Sequence, residues 1–305
     1  MLIARKDIDK AAETIQEVQI ETYGSLDRKE KVDYILYQVW IMLLKKDFVR
    51  TYIISKKIDP PHLNEKGLEE QKIQYYKLMI QYYLHEKILI DIARAFKTIY
   101  DTLKENATLE EKLHLKKAAF ENYVWFLLIS PYSNAKVDFL NITQKFYKKE
   151  LETNNDLNEN VNGFLTNEIM PLYIDKLWEK VKGYEPFRKT EIIEDPKLHF
   201  ECLQKEIVHK NLKVVEMYYS RVTMKRLAEL NNASVEFVET EIADMVCNGL
   251  LRAKIDRIMG IVDFRRQTQP HDIMNDWSSD IKTLLNLVEE TCHLINREHV
   301  IHAKI

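Results

Sequence analysis

Residues 218–264 read YYSRVTMKRLAELNNASVEFVETEIADMVCNGLLRAKIDRIMGIVDF, and the order of elements in this stretch decides the fold. Tyr219–Thr223 is a short extended piece ending on Thr223, whose hydroxyl suits the N-cap of a helix over Met224–Asn231. Asn232-Ala233-Ser234 makes a tight turn, and Ser234 caps a second helix, Val235–Asn248, striped by Val238, Ile242, Met245 and Val246. Gly249 falls where such a helix stops on a left-handed residue. Beyond it Leu251, Ala253 and Ile255 alternate with Arg252, Lys254 and Asp256, the period-two pattern of a half-buried strand. A turn around Arg257–Gly260 then leads to a second strand, Ile261–Arg265.

A long helix over His199–Tyr219 precedes this stretch, so the order is helix, short strand, helix, turn, helix, hairpin: a winged helix. After it the chain returns to helix, with Ile281, Leu284, Val288 and Ile295 near heptad spacing. Before it helices follow one another. Ala4–Glu21 carries apolar residues at Ile8, Ala12, Ile15 and Val18, and Gly24 ends it. Asp27 and Glu30 cap a helix whose buried face uses Val32, Ile35, Val39 and Leu43, and Phe48–Ile58 stops at Pro60-Pro61. Residues 68–84 and 87–103 form another pair, and Thr108–Glu111 is a capping box for a helix running to Ser130-Pro131.

Helix pairs recurring about every 40 residues without a fixed consensus describe a degenerate, TPR-like helical solenoid. The asparagine-rich stretch 151–163 reads as a solvated loop. Breaks at Gly183, Pro186 and Pro196 mark a boundary before a second unit. The expected division is a solenoid over 1–195, a winged helix over 196–268 and a terminal helix over 269–305, an all-α class with one small hairpin.

Composition narrows the function. The 305 residues include only 6 glycines and 7 prolines, far below the roughly 12% together that is ordinary. Few residues are free to build positive-φ turns, so an extensive sheet is excluded. The glycines at 24, 67, 163, 183, 249 and 260 form neither a GxGxxG nor a GxxxxGK[ST] phosphate loop. The net charge of -3 draws the chain to neither nucleic acid nor an anionic membrane. Cys202, Cys247 and Cys292 are too few and too scattered for a disulfide framework. No signal peptide or apolar run of membrane length is visible, and the Asn-x-Ser/Thr triplets at Asn106, Asn141 and Asn232 carry no weight without one. A cytoplasmic and nuclear location is expected.

Winged helices often bind DNA, but Val235–Asn248, the helix that would enter the groove, carries Glu236, Glu239, Glu241 and Asp244 and no basic residue. Carboxylates facing phosphates repel them. The wing is more basic, with Arg252, Lys254, Arg257, Arg265 and Arg266, yet a protein-binding winged helix is the favoured reading. Catalytic groups are scarce. His299 and His302, with His293 and Cys292 one to two turns earlier, and His199-x-x-Cys202 lack a placed carboxylate for zinc, and no serine occupies a glycine elbow. The chain is expected to be no enzyme and to hold no cofactor, metal or small-molecule substrate.

The stretch from Lys213 to Arg265 resembles the C-terminal part of a PCI domain, the module of scaffold subunits in the proteasome lid, the COP signalosome and the large translation initiation factor complex. Within that group the chain is similar to PCI subunits of the proteasome lid. The likeness rests on ETYGS at 21–25, FVRTYIISKKI at 48–58, YYKLMIQ at 75–81, ISPYSN at 129–134, NDWS at 275–278 and HLINREHVIH at 293–302. It departs in one respect, because such subunits usually begin with more helical repeats.

The resemblance implies a non-catalytic scaffold of the 26S proteasome regulatory particle lid, in a hetero-oligomer with other PCI and MPN subunits. It implies association through winged-helix edges and bundling of C-terminal helices. In this sequence the strand with Ile261, Val262 and Phe264 would supply the edge. Trp277, Ile281, Leu284, Leu285, Val288 and Ile295 would supply the bundling face. The alternatives are a paralogous signalosome subunit, which Asn275-Asp276-Trp277 and the segment after it argue against, and, from other classes, a nucleic-acid-binding winged-helix protein or a zinc hydrolase.

Overall fold

Asp27 opens α2 (Arg28–Lys45), its carboxylate accepting the Arg28 amide hydrogen at 2.8 Å. The computed structural model describes residues 8–17, 27–65, 67–105, 111–170, 173–189, 196–264 and 270–302. Ile35, Val39 and Leu43 of α2 are buried as the stripe predicts, together with Leu36, Ile41 and Met42. The burial is so broad because α1 (Ile8–Glu17) and α4 (Glu69–Glu86) both pack on α2. α3 (Phe48–Ser55) follows, and a 3-10 turn at Pro60–Asn64 uses the prolines where they cannot continue a helix. Gly24, the 21–25 segment, Asn106, the Thr108 capping box, Arg265 and Arg266 lie outside the described residues.

α5 (Leu89–Glu105) and α6 (Glu111–Ile129) form the most closely packed pair. Every side chain from Tyr123 to Ser130 is buried, because other elements pack on α6 from several sides: α5, α7 (Asn134–Phe146), α9 (Asn155–Leu165) and α11 (Pro196–Tyr218). A helix this central is apolar all round rather than striped.

The stretch expected to be a loop, 151–163, is instead largely helical. It forms the end of α8 (Lys148–Glu152) and most of α9. Leu151, Leu157 and Val161 are fully buried, and the asparagines bond locally: Asn160 donates to the Asp156 carbonyl and Asn162 to the Asn158 side chain. Within α9, Leu157, Val161 and Phe164 at i, i+4 and i+7 face the core and outweigh the low propensity of asparagine. α10 (Ile174–Val181) completes the array.

The winged helix follows as α11, β1 (Arg221–Thr223), α12 (Met224–Asn231), α13 (Val235–Cys247), β2 (Lys254–Asp256) and β3 (Ile261–Asp263). Thr223 and Ser234 cap α12 and α13 through the Arg226 and Phe237 amides, both at 3.3 Å. Gly249, at φ 68°, ends α13 in the left-handed region. The strands are shorter than the alternation predicts, since only Lys254–Asp256 of the first run pairs. They form one antiparallel sheet in the order β1-β3-β2, with Val222 and Ile255 both opposite Val262.

One hydrophobic core runs from Ile80 to Phe264 and is shared by the helical array and the winged helix. A smaller core, from Ala12 to Met79, fills the first repeats, and Tyr76 and Tyr83 pack against both. α14 (Pro270–His302) follows the sheet as a single helix of 33 residues.

Candidate protein interface

The wing is held rigid from within. Asp256 Oδ1 accepts the amide hydrogens of Ile258 and Met259 at 3.0 and 3.1 Å, and Gly260 closes the turn at φ 64°. Arg257 ties it to α13 through Glu239 at 2.7 Å. At the tip Ile258 is 98% and Met259 72% exposed. The sequence locates this turn between an alternating run and a second strand, but that alternation does not single out its two apolar side chains. Their signal is nonetheless present: two large apolar residues between Arg257 and Gly260, in a turn too tight to fold them inward.

β3, the strand expected to offer an open edge, is the central strand. Val262 and Phe264 are buried, Ile261 is half-buried, and β1 and β2 occupy both flanks. The reason is the Tyr219–Thr223 piece, which pairs with β3 and turns an expected two-stranded wing into three strands. The outermost strands are β1 and β2, and on the wing side the edge belongs to Lys254, Ile255 and Asp256.

α14 differs from every other long helix. All its described side chains are exposed, from Ile273 to His302, including Trp277 at 67% and Ile281, Leu284, Leu285, Val288 and Ile295. Trp277, Ile281, Leu284, Val288 and Ile295 follow the three-and-four spacing of a coiled-coil seam. Met274, seven residues before Ile281, extends that seam, and Leu287, Leu294 and Ile301, seven apart on a line beside it, widen the apolar surface.

A buried charge network joins the winged helix to the array. The Lys136 ammonium, on α7, donates to Glu206 Oε2 at 2.7 Å, to the Leu128 carbonyl at 2.8 Å and to the Ser130 carbonyl, so it also satisfies the open C-terminus of α6. Its side chain is 2% exposed, and burial pulls its pKa below the ordinary lysine value against the opposing pull of Glu206. His209, one turn beyond Glu206 on α11, donates from Nε2 to Glu241 Oε2 of α13 at 2.8 Å. Its Nδ1 lies 3.4 Å from Glu206 Oε1, without the alignment of a hydrogen bond. Lys205 reaches the other oxygen of Glu241 at 3.4 Å. Burial lowers the His209 pKa, but Glu206 and then Glu241 outweigh it and leave the value raised.

Asn211 forms a second tie. Its side chain accepts the Met170 amide hydrogen at 2.8 Å and donates to the Met170 carbonyl at 2.7 Å and to Asn231 at 3.0 Å. The segment after α9 is thereby paired to α11 as if to a strand.

Glu241 is turned inward, so the carboxylates on the exposed side of α13 are Glu236 and Asp244, with Glu239 paired to Arg257. His199 donates to the Pro186 carbonyl at 2.8 Å and packs edge-on against Phe126, while Cys202 is half-buried. Cys292, His293, His299 and His302 are exposed on α14. Among the described residues no group of three or more His, Cys, Asp or Glu is arranged to hold a metal ion, and no helix is long and apolar enough to cross a membrane.

A helical array sharing its core with a three-stranded winged helix, and followed by an uncovered terminal helix, defines a PCI-domain protein. Three family models match it: PSMD12/CSN4, N-terminal, over residues 1–107; the PCI domain over 157–266; and the 26S proteasome regulatory subunit RPN5 C-terminal domain over 271–303. The chain is 34% identical to the 26S proteasome regulatory subunit RPN5 of Saccharomyces cerevisiae, across 97% of this chain and 65% of that one. It is 33% identical to 26S proteasome non-ATPase regulatory subunit 12 of Dictyostelium discoideum, across 97% and 64%. With homolog B of that subunit in Arabidopsis thaliana it shares 35%, across 97% and 70%. The chain belongs to the RPN5/PSMD12 family of 26S proteasome regulatory subunits. It spans just under two thirds of the length of the yeast and Dictyostelium relatives.

Proposed function

We propose that the chain is a non-catalytic scaffold of the proteasome regulatory lid, supporting lid assembly and through it the degradation of ubiquitinated proteins. The observation that carries this reading is α14, a helix of 33 residues whose apolar seam is exposed along its whole described length. Such a seam is unfavourable in water and favourable in a bundle with other helices. The C-terminal family model coincides with this helix and is specific to the proteasome subunit, which favours the lid over the signalosome.

In this reading residues 1–195 form the solenoid, 196–268 the winged helix and 269–305 the bundling segment. The partners are other PCI and MPN subunits, at work in the cytoplasm and nucleus. Trp277, Ile281, Leu284, Leu285, Val288 and Ile295 contact partner helices. Strand addition takes place at the outer edge of β2, with Ile261, Val262 and Phe264 acting from behind as the strand and core that hold β2 in place.

The test is affinity purification of tagged chain with and without residues 270–305. Lid and core proteasome subunits should accompany only the full-length chain. Recovery of signalosome subunits instead, or of proteasome subunits with both forms equally, overturns the reading.

A further inference from the structure

Away from the wing and α14, one surface of the array has uniform chemistry. Between Leu44 and Lys57 every exposed side chain is either apolar (Leu44, Val49, Tyr52, Ile53) or basic (Lys46, Arg50, Lys56, Lys57). Val49 is 74% and Ile53 58% exposed, far more than a helix needs to leave in water. The one carboxylate in the segment, Asp47, is engaged: it caps α3 through the Arg50 amide at 3.2 Å and lies 3.4 Å from Arg50 Nε.

The surface is built rather than loose. Asp47 and Lys46 close the α2–α3 turn on the Met42 and Leu43 carbonyls, both at 3.0 Å. Tyr52 stacks on Tyr82 of α4 at 5.5 Å, and the Lys56 ammonium sits 4.6 Å above the Tyr52 ring. Tyr37 and Trp40 continue the exposed line of α2 to Leu44 at positions i, i+3 and i+7. The carboxylate that α4 contributes nearby, Glu86, lies against His85 at 3.2 Å.

We propose that this surface docks an acidic amphipathic helix from another protein. Helical partners lay apolar residues at i, i+3 or i+4 and i+7 into such a face, and Leu44, Val49 and Ile53 offer matching contacts. The basic side chains select carboxylates on the flanks of that helix and steer it in. Tyr52 is already stacked on Tyr82 and Tyr37 packs against Trp40, while the most exposed side chains, Val49 and Ile53, are aliphatic and gain nothing from phosphates or stacked bases, so a protein occupant fits better than a nucleic acid. This interface is separate from the two assigned to assembly above.

The experiment places a photoreactive benzophenone amino acid at Val49 of the tagged full-length chain in cells, and identifies the peptide crosslinked to that position. The expected product is a segment of another protein with net negative charge and apolar residues at helical spacing. Its yield should fall about five-fold in a Lys56→Glu, Lys57→Glu variant whose thermal midpoint is unchanged. No crosslink at position 49, a crosslink to nucleic acid or lipid, a neutral or basic peptide, or indifference to the charge reversal would each overturn the proposal. The subunits that co-purify with the same tagged chain report separately on lid membership, so either reading can fail without the other.

Discussion

Lys136 and Glu206 are each nearly sealed from water, and a buried charge is tolerable only with its partner. Lys136→Met should therefore lower stability by about 3–5 kcal/mol, because Glu206 loses its ammonium and the Leu128 and Ser130 carbonyls lose a donor. Lys136→Met with Glu206→Leu should recover part of that loss, a non-additivity readable from urea midpoints. His209 makes the same joint sensitive to pH. Its folded-state pKa is raised, so its pairing stabilises the fold fully below the unfolded value of about 6.5 and is lost as pH rises through the folded value. The groups facing it are Glu206 on its own helix, Glu241 from α13, and beyond these Lys136 of α7 and Lys205. The stability advantage of the wild type over His209→Gln should thus be largest below about pH 6.5 and shrink towards pH 8. Its size follows from proton affinity, since each tenfold gain on folding adds about 1.4 kcal/mol. A constant difference across that range would show that His209 acts by packing alone.

At the scale of single elements, helix ends are where this chain departs from the cheapest backbone. α4 stops on Lys87, whose φ of 59° is the left-handed conformation that a side chain disfavours. Lys87→Gly should raise stability by about 0.5–1 kcal/mol, visible as a thermal midpoint higher by about 1–2 °C. The elements also show what is legible in the sequence. α12 has the predicted bounds because its caps, Thr223 and Asn232, are local signals. α9 is hard to see in the sequence because its asparagines mask a sparse apolar line, Leu157, Val161 and Phe164, whose burial against α6, α7 and α8 only the fold displays. β3 is legible as a strand and misleading as an edge, for a related reason. A sheet's edge is a property of the strand beside it, and β1 lies nearly forty residues upstream. The α14 seam can be read in full, since heptad spacing requires no knowledge of the rest of the fold.

At the scale of the whole molecule, the described residues form two cores of unequal size and one helix outside both. The smaller core should open first, so amides of α2 and α3 should exchange hydrogen for deuterium sooner than those of α6, whose end is packed within the larger core. Equal protection across the two would show that they unfold as one unit. Removing residues 270–305 should leave the calorimetric midpoint of the remainder within about 1 °C, because exposed side chains take no packing energy with them. A drop of about 4 °C or more would place α14 on the body of the molecule in solution.

That same helix gives the chain a visible history. At 1.5 Å per residue its 33 residues extend about 50 Å, so a newly made, solitary copy displays a long greasy strip that a completed assembly conceals. A chaperone or a degradation factor that senses exposed apolar helix could tell the two apart without recognising any particular residue. The helix would then report on the chain's own stoichiometry: surplus copies stay conspicuous, while those that have found their place fall silent.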